Sequence, residues 1–119
     1  MHELSIASSL IETLLEFAAN RGISKIVEVR VGIGEWSCIE PDQLRFCIES
    51  IKGHGNPVIE ELSAKIETIP AIVRCVHCTY EGIPGVWEGV PSLKCPICGD
   101  AAEAVAGHEC EIKGLKFSV

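Results

Sequence analysis

Seven cysteines stand in this chain of 119 residues, and four of them fall into two pairs of one form. Cys75-Val76-His77-Cys78 and Cys95-Pro96-Ile97-Cys98 are separated by sixteen residues, with Gly99 directly after the second pair. Two residues between thiolates let one tight turn aim both sulfurs at a single ion, and two such turns facing each other complete a tetrahedron. Pro96 and Gly99 suit the sharp backbone of the second turn. Four thiolates close the coordination shell, which is the chemistry of a structural rather than a catalytic zinc ion. A pair of disulfides would need an oxidising compartment, and nothing in the sequence indicates one. All-sulfur tetrahedral coordination also suits iron, but only Tyr80 and Trp87 could supply the aromatic surroundings of such a site. Transient redox chemistry would need one turn alone. Zinc is the expected ion.

The other three thiols read as bland. Cys47 lies on a helical core stripe and Cys110 on the inward phase of a strand, so both are expected to pack. Cys38 sits in a loop after Trp36 and receives no role.

A second constellation is Met1-His2-Glu3. At a free N-terminus the α-amine, the main-chain nitrogen of residue 2 and the His2 ring close two fused chelate rings around one ion. Three nitrogens then lie in a plane, and Glu3 offers a fourth donor. Tetragonal nitrogen–oxygen fields suit nickel(II) or copper(II). The bulk of His2 is expected to keep the initiator methionine in place. The partial positive charge of a helix N-terminus opposes a cation, and loss of the amide proton or the Glu3 carboxylate offsets it. Moderate affinity follows, which suits handing a metal on. On these residues alone a plain solvated histidine is the competing reading.

These groups need elements to position them. Leu4, Ala7, Ile11, Leu14 and Ala18 recur at helical spacing, flanked by Leu10, Leu15 and Phe17, which predicts a helix from Leu4 to Ala19. Gly22 suits the left-handed position that ends it. Val27, Val29, Val31 and Ile33 alternate with Glu28, Arg30 and Gly32 as a half-buried strand, weakened at Gly32 and Gly34 before a loop at Glu35–Cys38. Pro41 favours the first position of a second helix. Its inner stripe is Leu44, Cys47, Ile48 and Ile51, and Gly53-His54-Gly55 stops it. Leu62, Ala64 and Ile66 mark a second strand that ends at Pro70. Residues 71–106 lose the periodicity and gain glycine, proline and paired cysteines. After Gly107 alternation returns at Cys110 and Ile112, then at Leu115, Phe117 and Val119, a slip that predicts a bulge near Lys113-Gly114. The fold class is α/β (α+β): two helices on a small mixed sheet, built from 1–70 plus 107–119, with a zinc-ribbon lobe inserted at 71–106.

Composition excludes several function classes. A formal charge of -7 without a basic stripe leaves little to neutralise phosphates, so nucleic acid is not expected as a partner. No run approaches the roughly 18 apolar residues that span a bilayer, so no membrane is expected either. Met1-His2-Glu3 has no basic export region before an apolar segment, which makes the cytoplasm the expected compartment. No Walker A motif, nucleophile elbow or HExxH zinc motif is present, so enzyme activity is not expected.

Met1-His2-Glu3-Leu4-Ser5, Val31-Gly32-Ile33-Gly34-Glu35, Pro70 before Cys75-x-x-Cys78, and Cys95-Pro96-x-Cys98 together resemble the HypA/HybF family. These are nickel-incorporation accessory proteins of nickel–iron hydrogenase maturation, and the resemblance spans essentially the whole chain. It implies a nickel-binding α/β domain with a separate zinc lobe, and a metallochaperone that delivers nickel to the hydrogenase large subunit. His2 then matches the nickel ligand, with the Met1 amine and Glu3 beside it, and Cys75, Cys78, Cys95 and Cys98 match the zinc ligands. The implied partners are the maturation GTPase HypB, the large subunit and urease maturation proteins, with the chain itself a monomer or weak dimer. Some relatives carry a histidine after a CxxC pair, whereas here His77 lies inside the first pair. His108 stands where the resemblance leads one to expect arginine. His54, His77 and His108 receive no role. The rival functions are a plain zinc-ribbon adaptor and a rubredoxin-like electron carrier.

Overall fold

Gly22, at φ +64°, ends the first helix as its left-handed residue, and the N–H of Ile23 closes back on the carbonyl of Ala18 at 3.0 Å. That is a Schellman closure, and Ile23 and Ala18 are both buried. The computed structural model describes residues 2–119, and of His2 only its place in this helix.

The chain forms two compact units, one made of 1–32, 39–67 and 111–119 and the other of 33–38 and 68–110. In the first unit, helix α1 (His2–Arg21) packs against helix α2 (Pro41–Lys52). Ala7, Ile11, Leu14 and Ala18 of the expected stripe are buried, whereas Leu4 at its start is 56% exposed. On α2, Leu44, Cys47 and Ile48 are buried, and Ile51 near the helix end is only half-buried. Glu40 caps α2 by accepting from the Asp42 N–H at 2.8 Å, with Pro41 in the first turn.

Strand β1 (Lys25–Gly34) lies between β2 (Ser63–Ile69) and β8 (Cys110–Ser118). Lys25 pairs with Glu61 and Arg30 with Glu67, so β1 and β2 advance together and are parallel. The N–H of Ser24 meets the carbonyl of Ser118, and that of Gly34 meets Glu109, so β8 runs antiparallel. The sheet is mixed, as the sequence predicts. Val29 and Val31 point into the core, while Glu28, Arg30, Glu67, Lys113 and Lys116 link as ion pairs on the outer side. Along β8 half-burial falls on Ile112, Gly114 and then Leu115, so alternation slips at Gly114. Phe117 meets Phe17 of α1 edge-on at 6.5 Å between ring centres, and the Arg21 guanidinium covers Phe17 at 4.1 Å.

The second unit holds more regular structure than its sequence pattern suggests. Strand β3 (Ile72–Cys75) pairs antiparallel with β4 (Glu81–Gly82) and with β7 (Ala102–Ala106). A separate two-stranded ribbon joins β5 (Val86–Trp87) to β6 (Val90–Pro91). Two- to five-residue strands are too short for alternation to show in the sequence.

Residues 33–38 belong to this unit. The segment is a 3₁₀ turn over Glu35–Ser37 rather than an open loop. It is stitched down by Trp36 N–H to the Gly107 carbonyl at 2.7 Å, Trp36 Nε1–H to Ala106 at 3.0 Å, and Ala71 N–H to Glu35 Oε1 at 2.7 Å. Gly34 continues β1 instead of weakening it. A Cβ there would sit 2.0 Å from the Gly107 carbonyl oxygen, and one on Gly107 (φ +102°) would sit 2.6 Å from Ala71 Cα.

Candidate functional site: a four-sulfur centre

The two cysteine turns are built alike. In the first, the Cys75 N–H donates to the Tyr80 carbonyl at 2.8 Å; in the second, the Cys95 N–H donates to Asp100 at 2.8 Å. The residue after each pair is left-handed, Thr79 at φ +63° and Gly99 at φ +79°. Glycine adopts that conformation without strain, whereas a β-branched threonine resists it. The Thr79 hydroxyl donates to the Cys78 carbonyl at 2.5 Å, a local bond that holds the turn.

These turns aim main-chain donors at sulfur. Cys75 Sγ accepts from the N–H groups of His77 and Cys78 at 3.3 Å each, and Cys95 Sγ accepts from Ile97 at 3.4 Å. β3 and β7 bring the turns together, since Cys75 is the partner of Ala102 across the ladder. All four sulfurs lie within 4.8 Å of one another, with Cys78–Cys95 at 3.4 Å and Cys75–Cys98 at 3.6 Å. A tetrahedral ion with sulfur bonds of about 2.3 Å sets its ligands about 3.8 Å apart, so the quartet fits such an ion with little movement. Cys75 and Cys95 are buried, Cys78 is half-buried and Cys98 is exposed.

The thiols titrate as one set. Cys75 is drawn down to about 6 by the N–H of Cys78 and then that of His77. Burial would raise Cys95, but the N–H groups of Cys98 and Ile97 outweigh it and lower the thiol. Cys78 and Cys98 go the other way. The N–H of Tyr80 works to lower Cys78, and burial with the neighbouring sulfurs outweighs it. The N–H of Asp100 works to lower Cys98, yet burial and hydrogen bonds with the other three sulfurs push it up to about 12. The first cysteine of each turn is thus shifted toward the thiolate and the second away from it. A divalent cation in the centre would release the protons that remain.

The Met1 amine and the His2 side chain lie outside the described residues. Glu3 is described, and its Oε2 accepts from the main-chain N–H of Glu40 at 3.1 Å. That N–H, together with the N–H of Glu3 itself, holds the Glu3 carboxyl below the usual carboxylate range. Glu40, which sequence reasoning treated only as the start of α2, therefore orients the third residue of the terminal tripeptide. The Glu-Pro pair signalled a helix start but gave no sign of this contact between distant residues. Of the remaining thiols, Cys47 is buried on α2 as expected. Cys110 is exposed, contrary to its inward reading, because it stands at the first position of β8 where the strand leaves the core. Cys38 is exposed at φ +58°. His77 approaches Asp100 at 3.9 Å, both exposed, while His54 and His108 are exposed without a place in the quartet. No helix among the described residues is long and apolar enough to cross a membrane.

Comparison with known proteins gives one consistent result. The family described as hydrogenase/urease nickel incorporation, metallochaperone, hypA matches residues 1–117. Hydrogenase maturation factor HypA of Methanopyrus kandleri is 33% identical, covering 100% of this chain and 94% of the relative. Its counterpart in Methanocella arvoryzae is 34% identical, with 100% of both chains covered. A solution structure of HypA protein superposes with a TM-score of 0.70 at 25% identity, covering 98% of this chain and 96% of that one. The nickel metallochaperone HypA of Helicobacter pylori shares the fold, with a TM-score of 0.68 over 98% and 97% of the two chains at 24% identity.

Proposed function

Because this chain belongs to the HypA family of hydrogenase/urease nickel-incorporation metallochaperones, we propose that it takes up nickel(II) at its N-terminus and passes it to the hydrogenase large subunit. It is a maturation factor of hydrogenase and not an enzyme. The observation that carries the nickel site is that the family match runs from residue 1, so Met1-His2-Glu3 stands at the aligned start. The Met1 amine, the main-chain nitrogen of His2 and the His2 ring supply three donors, and Glu3 stands beside them. Nickel is cargo here. It must displace protons from the amine and imidazole, whose reference values are about 7.7–8.0 and 6.5, so affinity falls from neutral to mildly acidic pH and the metal is readily handed on.

The four sulfurs of Cys75, Cys78, Cys95 and Cys98 hold a resident zinc ion. Zinc, when bound, fixes the two turns against each other. The near-tetrahedral sulfur spacing supports this ion, and with Trp87 73% exposed only half-buried Tyr80 stays near the quartet, short of the aromatic core of a rubredoxin-like carrier. The nickel-binding domain is the helix–sheet part and the zinc domain is the cysteine-bearing part. The protein works in the cytoplasm with the GTPase HypB, and the same chemistry suits urease maturation.

Two changes test the terminal site. His2→Ala removes the imidazole, and a short tag before Met1 turns the amine into a poorly donating amide. Both proteins are expected to fold, keep one zinc and lose most high-affinity nickel binding by calorimetry. Normal nickel binding by both would sink the terminal site. Normal binding by the tagged protein alone would remove the amine from the ligand set.

A further inference from the structure

The β5–β6 ribbon is largely exposed: Val86, Trp87 and Val90 stand in solvent and Pro91 is half-buried. Its register pairs Trp87 with Val90 and Val86 with Pro91, and the Ser92 N–H to Gly85 carbonyl bond at 2.8 Å extends the ladder. Cross-strand partners share a face, so Trp87 and Val90 lie on one side and Val86 on the other. Trp87 is 73% exposed and Val86 69%, with Val90, Ile83 and Leu93 exposed beside them. An isolated two-stranded ribbon is marginally stable at best in water, and this ribbon pairs with no third strand among the described residues. Contiguous exposed apolar side chains around a tryptophan mark an interaction surface, and tryptophan is the commonest energetic anchor of such surfaces.

The tip of the ribbon adds a second observation. Glu88 (φ +50°) and Gly89 (φ +80°) are both left-handed, the conformation of a type I′ turn that asparagine and glycine fill without strain. Glutamate at the first position costs the hairpin stability and puts an acidic residue next to Trp87 in the chain, exposed at the tip. The charge of the unit points the same way. Glu35, Glu81, Glu88, Asp100, Glu103 and Glu109 stand against Arg74 and Lys94, six acids to two bases, a formal charge of -4 before any thiolate is counted. Arg74 is already engaged with Glu103 at 2.7 Å.

We propose that the β5–β6 ribbon is a docking site for a basic, apolar-anchored segment of a partner protein, with Trp87 and Val90 as its anchors and Glu88 as its charge contact. A second copy of the chain brings the same negative lobe, and an anionic bilayer is negative too, so repulsion disfavours both. The count of charges leaves out the thiols, so the inference stands whichever metal the quartet holds.

The test uses the full metal-loaded chain and short synthetic peptides alternating leucine with lysine, leucine with glutamate, or serine with lysine. The leucine–lysine peptide is expected to bind best and to weaken as salt rises. Trp87→Ser is expected to weaken it about tenfold. Glu88→Asn gives the turn its preferred residue, so the ribbon should become more stable while peptide binding weakens, a pair of changes that loss of folding cannot produce. Metal content per chain, measured on each variant, should not change. Equal binding of the leucine–glutamate or serine–lysine peptide overturns the proposal, as does undiminished affinity in both Trp87→Ser and Glu88→Asn. Concentration-dependent dimerisation abolished by Trp87→Ser would assign the ribbon to a second copy. A shift of Trp87 fluorescence with phosphatidylglycerol vesicles would assign it to a membrane.

Discussion

Glu3 Oε2 accepts the main-chain N–H of Glu40 at 3.1 Å, while the Glu40 side chain accepts the N–H of Asp42 at 2.8 Å. The first turn of α1 is thereby tied to the cap of α2, two points thirty-seven residues apart. Glutamine at position 3 keeps an acceptor for that N–H and alanine does not. Glu3→Gln should hold nickel within about threefold of the parent, and Glu3→Ala should lose about tenfold, the scale of one charge-assisted hydrogen bond. Calorimetry on both variants checks this. Equal losses would mean that the carboxylate acts as a ligand and not through its position.

Cys95 is almost completely buried and takes an N–H bond on its sulfur. If the proposed zinc holds the turns, Cys95→Ala should release it and open residues 68–110 to protease, because short strands and an exposed ribbon leave that unit little apolar core. α1, α2 and the β2–β1–β8 sheet should keep their amide protection. Uniform loss of hydrogen-exchange protection over the whole chain would contradict separate folding of the two units.

Gly34 and Gly107 touch through their backbones, with no room for a methyl group between them. Gly34→Ala should therefore destabilise the protein by roughly 1–3 kcal/mol through forced backbone displacement. Gly85, with open space where its Cβ would be, is the control, and Gly85→Ala should change little. Thermal unfolding of the pair reads the difference.

Lys25 and Glu61 meet at 2.8 Å, joining the start of β1 to the residues before β2. The hydrogen bond with Glu61 raises Lys25, and that same bond lowers Glu61. A lowered carboxyl adds stability that is complete above its unfolded value, about 4.3, and is lost as pH falls through the folded value. A raised amine adds stability that is complete below its unfolded value, about 10.4, and is lost as pH rises through the folded one. Glu61 is exposed and Lys25 lies half-buried at the surface, so the effect is small and screened by salt. Lys25→Met should lower the unfolding midpoint slightly between those limits, and the gap should close in acid, in strong base and at high salt. A gap that persists in acid would count against the ion pair.

What the sequence determined by itself are the features set by residues close in the chain. The heptad-scale stripe of α1, the Pro41 start of α2, the alternation of Val27 to Ile33 and the two-residue spacing within each cysteine pair act over one or two turns, so a linear reading finds them. The family resemblance rests on such local strings too, and the match over residues 1–117 is consistent with them. Tertiary structure alone decided the rest. Nothing in Ile33–Cys38 signals that its indole and backbone bond to Ala106 and Gly107, because hydrogen bonds between segments seventy residues apart leave no periodic trace. Thr79 gave no sign of a left-handed turn, since the turn closed by the Cys75 N–H on the Tyr80 carbonyl holds it against the residue's own preference. Cys110 looked inward by phase and is outward in fact, because burial depends on where the strand begins and not on parity alone. The apolar ribbon at Val86–Pro91 was invisible for the same reason: hydrophobic residues in a sequence announce burial, and only the fold shows which of them were left outside.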